Sequence, residues 1–105
     1  MDDQKERQER HAKQHMQEFM EGLEEVNDKI EVINNWRSVG RSLDRRNTKR
    51  TFRNAEALYR MATNVIDNTD YAVTEEERDI LLETEACMED APEYVEVEFE
   101  AYKPL

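Results

Sequence analysis

The chain has 105 residues, with 26 acids against 15 bases for a formal net charge of −11. That length suits one small domain, 1–105, and leucine, isoleucine, valine and phenylalanine together supply only 20 residues, close to the level at which highly charged chains stop folding. No apolar run approaches the roughly 20 residues of a membrane span, nothing after Met1 resembles a signal peptide, and Cys87 has no second cysteine to pair with. A soluble cytoplasmic protein is therefore expected, with Cys87 packed as a small hydrophobe.

Ala12, Met16, Phe19, Leu23, Val26, Ile30 and Ile33 recur at alternating intervals of four and three, which is a heptad seam. The spacing predicts an amphipathic helix over 3–39, frayed before Ala12. Its seam is about 33 Å long at 1.5 Å per residue, and must be covered either by a second helix of the chain or by another copy of itself. Val32, Trp36, Val39 and Leu43 form an adjacent row that widens the apolar face near the helix end. Gly40, Ser42, Asp44, Asn47 and Thr48 supply breaking and capping chemistry, so a basic turn is expected at 40–47.

A second helix is predicted over 48–67, with Phe52, Ala55, Leu58, Tyr59, Ala62, Val65 and Ile66 on one side and its alanines allowing close approach to the first. Thr74 and Glu77 have the capping-box spacing, so a third, acidic helix is expected over 75–90, ending before Pro92. Its core side would use Ile80, Leu81, Thr84 and Met88. After Pro92 the period becomes two: Val95, Val97, Phe99 and Ala101 alternate with Tyr94, Glu96, Glu98, Glu100 and Tyr102. That pattern predicts an acidic β-strand over 94–102, which needs a mate in a second subunit, a partner's sheet or a short local strand. The expected fold class is thus mainly α, three helices followed by one C-terminal strand, as a homodimer.

Charge is unevenly distributed. Residues 1–34 sum to −5, residues 35–63 to +6 and residues 64–105 to −12. In the basic middle, Arg37, Arg41, Arg45, Lys49 and Arg53 repeat at intervals of four, with Arg46, Arg50 and Arg60 nearby. Continued helix would align several into a ridge suited to phosphates or to an acidic protein surface, the chain's own included. The acidic end offers Glu75, Glu76, Glu77, Asp79, Glu83, Glu85, Glu89, Asp90, Glu93, Glu96, Glu98 and Glu100, set on predicted regular structure. On a strand, alternate residues stand about 6.8 Å apart, so such carboxylates can stand in for nucleic-acid phosphates in a basic groove.

Catalytic chemistry finds no support. His11 and His15 are four apart, but the sequence around them lacks a matching third metal ligand. The carboxylates lie in runs without the pocket that acid–base catalysis needs. Neither Gly22 nor Gly40 sits in a phosphate-cradling loop. No enzyme activity, cofactor or metal is expected.

In smallness and in the acidity of its last 40 or so residues, the chain resembles the small acidic DNA-mimic and host-takeover inhibitor proteins of bacteriophages, a likeness of composition without a shared motif. It implies a regulator acting in the cytoplasm of an infected host. The expected function is accordingly a non-enzymatic inhibitor or regulator whose acidic helix and strand bind a basic, DNA- or RNA-associated protein. In that expectation Met16, Phe19, Leu23, Val26, Ile30, Ile33 and Trp36 form the core or dimer seam. The alternatives are a nucleic-acid-binding regulator using Arg37 to Arg60, and a helical assembly or adaptor protein.

Overall fold

The computed structural model describes residues 2–95, apart from the side chains at 2–5, 8 and 9. Three helices follow one another: α1 (Asp2–Ser38), α2 (Arg45–Asn68) and α3 (Glu75–Glu89). At 1.5 Å per residue α1 is about 55 Å long, which accounts for the 58 Å long axis of the molecule. Both shorter helices pack along α1 and touch each other less.

The seam is therefore core. Ala12, Met16, Leu23, Val26 and Ile30 are buried within the chain, Phe19 and Ile33 are partly buried, and a second copy is not needed to cover them. The buried stripe is also wider than a heptad seam, because Met20 and Asn27 are enclosed as well. Two helices flank α1, and covering both flanks adds a position to each turn. Phe52, Ala55, Tyr59 and Ala62 come from α2, and Ile80, Leu81, Cys87 and Met88 from α3, with Val95 closing the same cluster. Ala55 and Ala62 are fully enclosed, as the expected close approach requires. Gly22 extends the effect from the other side, since a Cβ there would stand 3.0 Å from Leu58 Cδ1.

The row Val32, Trp36 and Val39 does not join this core. These residues are 44%, 40% and 77% exposed, because α1 ends in a tight C-cap there instead of continuing under a neighbour. Gly40 takes φ 73, Gly40 N–H donates to Arg37 C=O at 3.1 Å and Arg41 N–H to Trp36 C=O at 2.9 Å. These paired bonds form a Schellman motif, for which glycine at the left-handed position is favoured. Trp36 accordingly leaves the expected seam, and the Arg41 guanidinium lies over its ring at 4.7 Å.

Helix α2 starts at Arg45, three residues before the expected boundary. The reason is Asp44, whose carboxylate accepts from the N–H groups of Arg46 and Asn47 and acts as the N-cap. Thr48 is an interior residue, 2% exposed, with its hydroxyl donating to Asp44 C=O at 2.8 Å. The start of α3 matches expectation: Glu77 N–H donates to Thr74 Oγ1 at 3.1 Å and Thr74 N–H donates to Glu77 Oε1 at 3.0 Å. Among the described residues there is no strand, and residues 93–95 form a turn and its exit. Most of the expected 94–102 strand, with Glu96, Glu98 and Glu100, lies outside the described residues. No described helix is long and apolar enough to cross a membrane.

One polar contact fixes α3 along α1. Asn27 is 1% exposed and Thr84 0%; Asn27 Nδ2 donates to Thr84 Oγ1 at 2.9 Å, while Thr84 donates in turn to Ile80 C=O at 2.9 Å. Asn27 Oδ1 has no hydrogen-bond partner among the described residues. Removing the Thr84 hydroxyl leaves the buried Asn27 donor with only a long bond to Ile80 C=O at 3.5 Å, whereas replacing both by apolar groups is nearly neutral. Thr84→Val is expected to cost about 1–3 kcal/mol in urea unfolding, and adding Asn27→Leu to recover most of it. Additive losses in the double variant would show that the contact does not couple the helices.

Candidate functional site

The described residues carry two surfaces of opposite sign. The acidic one is built by α1 and α3 together. Registry through Asn27 and Thr84 brings Glu83 of α3 against Glu31, Asp28 and Glu24 of α1. Partial desolvation against α1 and then Glu31 push the carboxyl of the otherwise exposed Glu83 above its ordinary 4.5, Glu31 acting through both its charge and a shared hydrogen bond, with Asp28 and Glu24 adding to it. Glu83 thus lies within electrostatic reach of three α1 carboxylates, which places acids of both helices on one shared ridge. The field of these acids reaches Cys87 in the core beneath, whose thiol is raised to about 11 by burial and then by Glu83, Glu31 and Asp90.

The acids expected from the sequence divide into two groups. Glu77 and Glu85 serve the fold: Glu77 closes the α3 cap and accepts from Tyr71 Oη at 2.6 Å, and Glu85 accepts from Tyr59 Oη at 2.5 Å. The Tyr71 phenol is correspondingly raised to about 12 by burial and by Glu77. Glu75, Glu76, Asp79, Glu83, Glu89, Asp90 and Glu93 are exposed. Glu24, Asp28 and Glu31 were missed by the sequence reading. Their four-then-three spacing beside Asn27 was a visible signal, but without the position of α3 it marked only a solvated flank of α1.

The basic residues do not form the continuous ridge expected, because the turn at Gly40 separates Arg37 from α2. Arg37 Nη1 donates to Asp90 C=O at 2.5 Å and Arg45 lies over the Tyr94 ring at 4.9 Å. With Arg41 stacked on Trp36, three of the expected cations thus make local contacts. Arg46, Lys49, Arg50 and Arg53 remain together on the first three turns of α2 and line an open groove with Arg45 and Asn54.

A wider open groove runs between His11, Lys13 and His15 of α1 and the α2–α3 connection at Asp67 to Thr74. His11 and His15 stack at 6.3 Å between ring centroids, and His15 on Phe19 at 6.0 Å. Among the described residues no group of three or more histidine, cysteine or acidic side chains could hold a metal ion. Comparison with protein families, curated proteins and solved structures finds no match to this chain.

The raised Glu83 carboxyl has a pH consequence. Its folded form binds a proton more tightly than its unfolded form, so its contribution to stability is full below the unfolded value of 4.5 and is lost as pH rises through the folded value. Glu83→Gln is expected to raise Tm at neutral pH and to flatten the Tm profile above pH 4.5; an unchanged profile would contradict the ridge. Cys87, 7% exposed, should react slowly with a disulfide reagent at about pH 8 in the folded protein and fast in denaturant.

Proposed function

We propose that the chain is a non-enzymatic binding protein whose acidic ridge engages a basic, nucleic-acid-associated protein at its phosphate-binding surface. The observation that carries this reading is the convergence of Glu83, Glu31, Asp28 and Glu24 from two helices. Ile30, Asn27, Leu81 and Thr84 are buried on the same two helices, so the roots of these carboxylates are held by packing. A pre-positioned row loses less side-chain entropy on binding than acids on a mobile tail. The repulsion among the carboxylates, unfavourable in the free protein, is relieved when a cationic groove closes over them. That is the electrostatic exchange by which phosphates bind basic proteins. The exposed acids Glu75, Glu76, Asp79, Glu89, Asp90 and Glu93 extend the field around the ridge, raising the encounter rate more than the affinity. We include Glu96, Glu98 and Glu100 in the contact surface on the strength of their alternation in the sequence.

The test uses immobilised full-length protein exposed to a cell lysate, with duplex DNA as the eluting competitor. The expected result is capture of basic nucleic-acid-associated proteins that DNA displaces, and loss of that capture on Glu24→Gln, Asp28→Asn, Glu31→Gln and Glu83→Gln together. Capture that persists in the neutralised protein, or that DNA does not displace, would contradict the reading. Removal of residues 96–105 tests the remaining carboxylates; the cut must spare Pro92 and Val95, which are buried.

A further inference from the structure

We infer that the N-terminal part of α2, Arg45 to Asn54, forms a second binding surface, one that takes the phosphate backbone of a nucleic acid through Arg46, Lys49, Arg50 and Arg53. Three observations lead there. Cations at a helix N-terminus face the positive end of its dipole, yet α2 opens on Arg45 and Arg46 with no acid in its first turn, and Lys49, Arg50 and Arg53 follow directly. Elsewhere Lys29 is paired with Glu25 at 3.5 Å and Arg60 with Glu56 at 3.1 Å, whereas these four make no ion pair with the described residues. Of the acids nearby, Asp44 is held by the backbone N–H groups that it caps, and Glu25, which lies beside Arg50, and Glu56 are already engaged by Lys29 and Arg60. A cationic cluster that makes no ion pair of its own is matched by an external polyanion.

Geometry supports a backbone rather than a single phosphate. Thr48, Phe52 and Ala55 are buried and set the inner face of the helix. Arg46, Arg50 and Arg53 then project from the opposite side over about 10 Å, with Lys49 flanking them. The groove they line is open to solvent along the helix, so a passing strand can reach all four. Asn47, Thr51 and Asn54 interleave the cations and add neutral hydrogen-bonding groups. The net charge of −11 opposes such binding only weakly at this spot. The acidic ridge belongs to α1 and α3, about a helix diameter of 10 Å or more from the outer side of α2, and the screening length at physiological salt is about 8 Å.

The experiment is fluorescence anisotropy of full-length protein with labelled duplex DNA, duplex RNA and single-stranded DNA across a salt series. Four phosphate contacts predict a slope of log K against log salt near −3.6 for a duplex, or about a hundredfold loss of affinity between 50 and 200 mM salt. Arg46→Gln, Lys49→Gln, Arg50→Gln and Arg53→Gln together should abolish binding. Glutamine is a good helix former, so Tm of this variant should equal or exceed that of the original chain, which separates lost binding from lost folding. Which of the three probes binds identifies the form recognised. The inference is overturned by absence of binding to all three at 50 mM salt, or by binding that survives neutralisation. It is also overturned if the cluster instead drives self-association that the variant abolishes, meaning that it docks on the acidic ridge of another copy. The ridge variants leave this site intact, so its failure is distinct from failure of the acidic-surface reading.

Discussion

Burial of Met16, Met20, Leu23, Val26 and Ile30 against α2 and α3 is the contact on which the rest of the molecule depends. Each such side chain contributes roughly 1.5–3 kcal/mol when removed from water, and small domains are only marginally stable, so the loss of any one of them is a large fraction of what holds the fold. In a chain with so few large apolar residues no other element can replace it. The helix that carries the stripe is longer than either neighbour, so two are needed to cover it. α2 takes one flank through its alanines, and α3 takes the other through Leu81 and Thr84.

The electrostatic character follows from that arrangement. Placing α3 beside α1 brings together two helices whose outward sides are both acidic, and the raised Glu83 carboxyl is the local sign of it. Placing α2 with Phe52, Ala55 and Tyr59 inward leaves Arg46, Arg50 and Arg53 outward. Opposite charges so end on different faces although they alternate along the chain. Asn27 has the corresponding structural role. A buried amide in an apolar stripe stabilises less than a leucine would, but it favours one register of α3 over its neighbours, and the register decides which carboxylates meet.

Much of the fold was legible because its signals are local. The stripe on α1, the inward residues of α2 and α3, and the Thr74–Glu77 cap all depend on spacings of three or four residues. The misplaced features depend on tertiary partners. Trp36 has the right spacing for the core, but the chain turns away at Gly40 before anything covers it. Arg37 and Arg45 share a four-residue rhythm that the same turn breaks, and each then finds a contact near the end of α3. Asp44 has the capping chemistry expected of it, but it caps at Arg45, so that residues 45–47 of the expected turn are helical. The acidic surface was legible only by half: the α3 acids stood out by density, but Glu24, Asp28 and Glu31 gain significance only once Glu83 is placed beside them.

Amide hydrogen exchange followed at two widely separated protein concentrations tests most directly whether the chain covers its own stripe. The slowest amides should lie in three stretches: Met16 to Ile30, Phe52 to Ala62 and Leu81 to Met88. Their protection should be the same at micromolar and near-millimolar protein. Protection of the α1 stretch that appears only at high concentration, with α2 and α3 exchanging freely, would show that a second copy covers the seam and would contradict the account.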